Sequence, residues 1–398
     1  MLTAGRAQRP VICATVGGIG AQSSSIRWVV ARMTAPLHSH VPGRYHVRIV
    51  ARDLARCGLA DWWNTLPQPR RSVALRWEYL STWADAFMPR DARLHIPVVF
   101  AGAVPVAAAP LFRRRGVLWS LASDADSEVF DVGCDPAHPA AVDALVGVLT
   151  HHRSCLERLD GGSALLAGMQ RVAPPMILDR VQAPCMSLPT TSDALLAGLS
   201  SKFRAGVRRA TRALATLGTV TLQQYRQGDA GLGPAFQTLL DLEAASWKGT
   251  LGSAITLRPD TLRFYRRLAV DGPVSRWARV ALLRVDDRVV AAQLDLERGA
   301  RREGLKMASI ADLGRGQSPG AVLLWLVLAD CIARGVTHFA LGGELEGWKR
   351  HWTTSGAERV RVRSWPRTRT GQLSYGAREQ AKQVVRPLRR KPRGAART

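Results

Sequence analysis

The sequence repeats its own pattern when it is shifted against itself by 184 residues. In that register VVFAGAVPVAAAPL (residues 98–111) aligns with LLRVDDRVVAAQLD (residues 282–295) without a gap. Both segments predict a hairpin, because each has an apolar strand, a tight turn and a second strand containing Val-Ala-Ala. At the same shift HPAAVDALVGVL (138–149) aligns with VLLWLVLADCIA (322–333), and both predict a helix. The pattern predicts two related halves, the alternative being a chance likeness between α/β segments.

The second half shows the order of elements more clearly. FQTLLDLEAASW (236–247) has apolar residues at helical spacing, and residues 262–268 predict another helix, opened by Pro259 and Asp260. The strands WARVALLRV and RVVAAQLDL follow as a hairpin, then the strand REGLKMASIA, a helix, the short strand VTHFALGG and the alternating strand ERVRVRSW. The predicted fold class is therefore α/β, with a mixed sheet flanked by helices.

A glycine-rich loop, LGRGQSPG at residues 313–320, runs directly into the predicted helix of the second half. Free backbone amides at a helix N-terminus and a helix dipole of about half a positive charge bind phosphate groups. We expect such a site to use the loop residues Gly314, Arg315, Gly316, Gln317, Ser318 and Gly320, with Ser318 as a cap and Pro319 in the first turn. The plain alternative is that the loop only turns the chain.

The corresponding turn of the first half has the opposite charge. It carries Asp124, Asp126, Glu128, Asp131 and Asp135. Because these carboxylates would repel a phosphate, a phosphorylated cofactor is expected in the second half only.

The chain has a formal net charge of +25, which favours polyanionic partners such as phosphorylated cofactors, nucleic acid or an anionic membrane. Since only six of its 56 basic residues are lysine, the bland interpretation is an arginine-rich genome. The six cysteines form no C-x-x-C pair, which argues against zinc, predicts no metal and favours a reducing cytoplasm. No apolar run reaches the roughly 18 residues of a membrane-spanning helix, so no integral membrane segment is expected.

Two clusters combine acids, lysines and tryptophans. EAASWKG places Glu243, Trp247 and Lys248 at a helix end, with Glu243 and Trp247 on one face. GGELEGWKRHW supplies Glu344, Trp348, Lys349 and Trp352, with the two tryptophans again four residues apart. Each residue also has a plain interpretation: an exposed acid, a packed aromatic ring or a capping lysine. Lys306 is harder to explain in that way, because a lysine on a buried strand needs a partner.

These motifs resemble the CelD/BcsL-type acetyltransferases, a branch of the GNAT superfamily related to the FemAB aminoacyl transferases. The matching motifs, in order along the chain, are S-K-F-R at 201–204, E-A-A-S-W-K-G at 243–249, L-K at 305–306, S-P-G at 318–320 and G-G-E with W-K-R-H-W at 342–352. The resemblance implies two tandem GNAT-like halves, each a mixed, mostly antiparallel sheet flanked by helices. Trp348 departs from the family pattern, which has tyrosine before the lysine, and puts a phenolic proton donor in doubt.

The resemblance also implies the chemistry, a transfer of an acyl group, first of all acetyl, from acyl-CoA to an amine. The cofactor pyrophosphate would bind residues 314–320, and the thioester would lie along the Lys306 strand, where backbone amides stabilise an oxyanion. Glu243 is the first candidate for the general base and Glu344 the second, with Lys306 as the third catalytic residue. Substrate would contact the aromatic and basic residues of the two clusters: Trp247, Lys248, Trp348, Lys349 and Trp352.

The expected acceptor is a small molecule or a cell-envelope precursor, in a bacterial cytoplasmic enzyme. One alternative is a FemAB-like transferase that uses aminoacyl-tRNA, for which the basic segment 202–213 would suit RNA. Another is a non-catalytic protein that binds polyanions through its arginine-rich tail. The predicted domains are a variable extension (1–40), an N-terminal GNAT-like half (41–190), a C-terminal acyltransferase half (191–372) and a basic tail (373–398).

Overall fold

The computed structural model describes residues 45–51, 53–121, 126–310, 313, 317–345 and 347–366. The predicted extension 1–40 and the basic tail 373–398 lie outside the described residues. So do three residues of the expected phosphate loop, Gly314, Arg315 and Gly316.

The described residues form a mixed α/β fold, as predicted. The strands are β1 His46–Val50, β2 Arg93–Leu94, β3 Ile96–Ala101, β4 Val104–Ala108, β5 Leu111–Arg114, β6 Val117–Ser120, β7 Gly133–Cys134, β8 Arg153–Asp160, β9 Met176–Ser187, β10 Val220–Arg226, β11 Ala278–Val285, β12 Arg288–Arg298, β13 Arg301–Ser309, β14 His338–Ala340 and β15 Gly356–Ser364. The α-helices are α1 Ala60–Thr65, α2 Pro67–Arg71, α3 Trp77–Phe87, α4 Ala141–Thr150, α5 Ala164–Val172, α6 Ser192–Gly198, α7 Ser201–Ala215, α8 Leu232–Ala245, α9 Trp247–Thr250, α10 Pro259–Arg266 and α11 Pro319–Ala333.

The two predicted hairpins are confirmed. β3 and β4 turn at Gly102 with φ 61°, and β11 and β12 turn at Asp286 with φ 50°. The shift of 184 residues places these two left-handed residues on each other. It also relates the two helices that follow, α4 and α11.

Each half also has one parallel strand pair at the equivalent place. β6 runs parallel to β8, beginning with Val117 opposite Arg153, and β13 runs parallel to β14, beginning with Arg301 opposite His338. A hairpin, then a strand, a helix and a parallel strand therefore occur twice. The structure thus contains the two related halves that the repeat predicts.

The halves exchange their last strands. β9, which closes the first half, pairs with β14 of the second half, and β15 pairs with β8 of the first. β9 and β15 also pair with each other, which joins both halves in one sheet of 11 strands, ordered β10-β11-β12-β13-β14-β9-β15-β8-β6-β5-β2. A second sheet has the order β1-β3-β4-β7. The predicted division at residues 190 and 191 falls between β9 and α6, and the sheet joins strands from both sides of it.

Helices cover both faces of the second half of the large sheet. α3, α8 and α10 pack on one face around Leu239, Phe264 and Leu294. α6, α7 and α11 pack on the other face around Leu283 and Leu324. Among the described residues, no helix is long and apolar enough to span a membrane.

Candidate active site between two diverging strands

A double glycine follows β14 at the point where β14 diverges from β13. The two strands pair for three residues, ending with Glu303 opposite Ala340, and then diverge. Gly342 and Gly343 follow with φ 69° and 59°, in the left-handed region that favours glycine. A Cβ placed on Gly342 would lie 2.2 Å from the Gly304 carbonyl oxygen, so the two backbones touch where the strands part.

The divergence opens a cavity of about 750 Å³. Its wall includes eight of the residues that the sequence predicts for the site: Trp247, Lys248, Lys306, Ser318, Gly320, Trp348, Lys349 and Trp352. Two predicted catalytic acids, Glu243 and Glu344, are not on this wall, and neither is Gln317. The cavity therefore brings together residues from both ends of the second half.

The edge of β13 that faces the cavity has backbone amides without a hydrogen-bond partner among the described residues. Ile310 N–H donates to the Val290 carbonyl on β12, at 3.0 Å. Because peptide groups alternate in direction along a strand, those of Met307 and Ser309 point to the opposite side, into the cavity. The Met307 carbonyl accepts a hydrogen bond from Lys248 Nζ at 3.2 Å, in agreement with this direction.

The N-terminus of α11 also faces the cavity. Pro319 begins the helix as predicted, and the Ser318 carbonyl accepts from the amides of Ala321 and Val322, both at 3.1 Å. The predicted side-chain cap is wrong, because the exposed Ser318 hydroxyl makes no cap hydrogen bond. A Cβ placed on Gly320 would lie 3.5 Å from the Ser309 hydroxyl, so the first turn packs closely on β13.

Lys306 has the partner that its place on a buried strand requires. Its Nζ lies 3.1 Å from Asp126 Oδ1 and 4.8 Å from the centre of the Tyr265 ring. The Tyr265 hydroxyl donates to the same carboxylate oxygen at 3.0 Å. Burial, together with the nearby Asp126 charge, raises the pKa of Tyr265 well above its usual 10, so the phenol stays protonated.

Glu128 places a carboxylate on the cavity wall. Its Oε2 accepts a hydrogen bond from the Gly343 amide at 3.1 Å. Burial raises the pKa of Glu128, against the opposing effects of the Gly343 amide and Arg158. The side chain is thus a partly buried acid with a raised pKa, which is what a general base near neutral pH requires.

Glu243 holds Lys248 in place instead of facing the cavity. Its Oε1 accepts from Lys248 Nζ at 2.8 Å and its Oε2 accepts from the Ile255 amide at 2.9 Å. The helix ends at Ala245, because Ser246 is extended and its hydroxyl accepts from the Lys248 amide as the cap of α9. Glu243 and the 65% exposed Trp247 therefore do not share one helix face, which corrects the sequence prediction.

The second cluster divides in a similar way. Lys349 is buried and its Nζ donates to the carbonyls of Gly342 and Glu344, at 2.8 and 3.2 Å. Trp352 is buried whereas Trp348 is 45% exposed, so the two tryptophans have different environments. The Glu344 side chain points away from the cavity wall to Arg158, with a 3.6 Å ion pair.

Sequence reasoning missed Asp126, Glu128 and Tyr265. The two acids belong to the acidic turn of the first half, which we used only to exclude a phosphate there. Two features of the sequence could have indicated the acids: they form a cluster in an otherwise basic chain, and Lys306 on a buried strand needs an acidic partner. No group of three or more potential metal ligands occurs among the residues that the structure describes.

One family of known proteins matches a segment that includes β13, α11 and β14. The family described as acetyltransferase (GNAT) domain matches residues 201–350, which span the cavity-forming elements. This match supports a GNAT fold for the second half and acyl transfer as its class of reaction. The comparison does not distinguish the CelD/BcsL type, and no curated protein matches the chain.

The solved structures that match this chain share little sequence with it. The C-terminal domain of a putative lysylphosphatidylglycerol synthetase from Agrobacterium fabrum is 14% identical, with a TM-score of 0.44 over 70% of this chain and 85% of that one. FemX is 12% identical, with a TM-score of 0.48 over 70% and 90%. A tandem GNAT protein from the clavulanic acid biosynthesis pathway is 12% identical, with a TM-score of 0.44 over 80% and 98%.

Proposed function

We propose that this protein is an N-acyltransferase that moves an acyl group from acyl-CoA to an amine. One observation carries the proposal: a cavity passes between β13 and β14, with a helix N-terminus on one side and a carboxylate of raised pKa in its wall. The matched GNAT domain supports the reaction class. The acceptor is a small molecule or a cell-envelope precursor, as the family resemblance implies.

The donor would bind along the α11 side of the cavity. Its pyrophosphate would lie at the N-terminus of α11, where Ser318 and Gly320 line the wall and the helix dipole favours an anion. The thioester arm would follow the free edge of β13. The amides of Met307 and Ser309 are donors there for the arm and for the oxygen that becomes negative during transfer.

The acceptor amine would approach Glu128. An amine is mostly protonated near neutral pH, so a base must take a proton before or during attack. Glu128 replaces Glu243 as our candidate for the general base, because both carboxylate oxygens of Glu243 already accept hydrogen bonds, from Lys248 and from Ile255. Lys306, held by Asp126, would stabilise negative charge that develops in the cavity.

The test is thiol release from acetyl-CoA in the presence of a panel of amines. Glu128→Gln should lower turnover at least about 100-fold, with little change in donor affinity, because it removes the base and keeps the shape. Because the charged form of Glu128 is the active one, wild-type turnover should rise with pH through a pKa above the usual value of glutamate. The matched variant Glu344→Gln should change turnover less than about threefold, since this side chain is off the wall. Loss of turnover in Glu344→Gln and not in Glu128→Gln would contradict the assignment.

A second candidate donor, aminoacyl-tRNA, is favoured by the surface of α7. Lys202, Arg208, Arg209 and Arg212 are exposed on this helix, and its Phe203 lines the cavity. tRNA binding that falls steeply with salt, without any acyl-CoA binding, would favour this donor. Binding of any polyanion without turnover of either donor would favour the third reading, a non-catalytic polyanion-binding protein.

A further inference from the structure

Gln293, in the wall of the cavity, has a buried side-chain oxygen that no described residue uses as a hydrogen-bond acceptor. The residue lies in the middle of β12, is only 2% exposed and forms part of the cavity wall. Its Oε1 is buried and has no hydrogen-bond partner among the residues that the structure describes. A buried acceptor without a partner destabilises the unliganded protein, and a ligand with a correctly placed N–H or O–H removes that cost.

A hydrogen bond to Asp295 fixes the orientation of the Gln293 amide. Gln293 Nε2 donates to Asp295 Oδ1 at 2.6 Å, and Asp295 Oδ2 accepts from Arg302 Nε at 2.7 Å. Arg302 is fully buried and donates to Gln224 Oε1 at 2.9 Å as well. A rotated amide would place its oxygen against the Asp295 carboxylate, so Oε1 must be the atom that faces away from it.

Gln293 lies on the donor side of the sheet. It is directly opposite Met307 in the register of β12 and β13, and residues opposite each other share a face. A Cβ on Gly320 would lie 3.4 Å from Met307 Sδ, so this is the α11 face. Lys306 precedes Met307 on β13, so its side chain lies on the opposite face of the sheet, where it contacts Asp126 and Tyr265.

Apart from the pair of Asp295 and Arg302 behind Gln293, apolar residues lie close to it on this face. Leu324 and Phe339, which line the same cavity, are fully or almost fully buried. The carrier arm already has the amides of Met307 and Ser309 along the strand edge. The acceptor at Gln293 therefore remains for the acyl group itself.

Resting on the proposed acyl-CoA reaction, we infer that Gln293 selects an acyl group with a hydrogen-bond donor, a hydroxyl or an amino group, near its carbonyl. A plain acyl chain of the same size would leave Oε1 without a partner and would bind more weakly. Acetyl-CoA, which lacks such a donor, would then be a poorer ligand than a hydroxyacyl- or aminoacyl-CoA.

The experiment compares glycolyl-CoA with propionyl-CoA, which differ by a hydroxyl in place of a methyl group. Calorimetric titration of the full chain should give a dissociation constant at least about tenfold lower for glycolyl-CoA. Gln293→Met removes the acceptor at nearly constant volume and should reduce this ratio to about one. Gln224→Met, which touches the same arginine but not the cavity, should keep the wild-type ratio.

Each other outcome separates the proposals. A wild-type ratio near one, with both thioesters bound, would overturn the role of Gln293 and leave the acyltransferase intact. An equal loss of affinity for both thioesters in Gln293→Met would assign the contact to the carrier arm and overturn the selection of the acyl group. If neither thioester bound, the proposed acyl-CoA reaction itself would fail.

Discussion

The two halves differ most at the point where their parallel strands end. In the first half, Arg158 has φ 54° and β8 continues, because Phe130 donates its amide to the Arg158 carbonyl at 2.8 Å. Asp160 N–H returns a bond to the Phe130 carbonyl at 3.0 Å. In the second half, Gly342 stands at the position that the shift of 184 residues assigns to Arg158. There the chain turns away and the cavity opens.

The segment of residues 126–130, which pairs with β8 in the first half, also contributes side chains to the site of the second half. Phe130 is fully buried at the filled position. Glu128, two residues before it, lines the cavity of the other half, and Asp126, four residues before it, pairs with Lys306 on the cavity wall. The difference shows how one copy of a repeated fold can give up its own cleft and contribute side chains to its neighbour. We propose this as the role of the N-terminal half.

The largest effect is expected from Gly342→Ala. The added Cβ would meet the Gly304 carbonyl oxygen at 2.2 Å in a left-handed backbone, so the strands must move. The free energy of unfolding should fall by at least about 3 kcal/mol in chemical denaturation. Gly299→Ala is the control, since Gly299 has φ 58° but no atom within 4 Å of the added Cβ. It should cost only about 1 kcal/mol. Equal losses in the two variants would show that the strand contact at Gly342 does not matter.

A smaller effect concerns acid stability, which should be a property of the first half. His95 aligns with Arg279 in the repeat, but its ring lies 5.6 Å from the ring of His152, and its Nε2 has no hydrogen-bond partner among the described residues. Burial and the neighbouring His152 lower the pKa of His95 to about 4 from 6.5. Because the unfolded chain takes up this proton first, stability is lost as the pH falls from 6.5 towards 4.

The measurement is urea denaturation of wild type and His95→Gln at pH 7 and pH 4.5. The wild type should lose up to about 2 kcal/mol more than the variant between these two values, since His95→Gln has no proton to take up. An identical pH dependence in both proteins would show that His95 does not cause the loss of stability at low pH. In the second half the corresponding residue is Arg279, which forms a 3.4 Å ion pair with Glu297. Since an arginine stays charged at both pH values, this position does not make the stability of the second half depend on pH.

The sequence predicted the repeated hairpins, the corresponding helices α4 and α11, and eight residues that lie on the cavity wall. Those features depend on local periodicity and on glycine, proline and lysine placement, which a single segment records. The exchange of β9 and β15 was not predictable, because an alternating pattern shows that a strand exists but not which strand it joins. The contact between Lys306 and Asp126 joins residues 180 positions apart, so no spacing rule finds it.

The smallest effect is expected at the N-terminus of α11, where a substitution tests donor binding most directly. Ser318→Asp adds a negative charge where the donor's phosphates would bind, and should weaken acetyl-CoA binding about tenfold. The same charge is favourable to the helix dipole and should stabilise the folded protein by about 0.5 kcal/mol, so weaker binding would not reflect unfolding. Ser318→Ala is the matched control, because the hydroxyl makes no cap hydrogen bond.

The decisive measurement is therefore calorimetric titration of wild type, Ser318→Ala and Ser318→Asp with acetyl-CoA. We predict micromolar binding to the first two proteins and clearly weaker binding to the third, with an unchanged or higher melting temperature. No binding to the wild type, or equal affinity in all three proteins, would contradict a phosphate site at the start of α11.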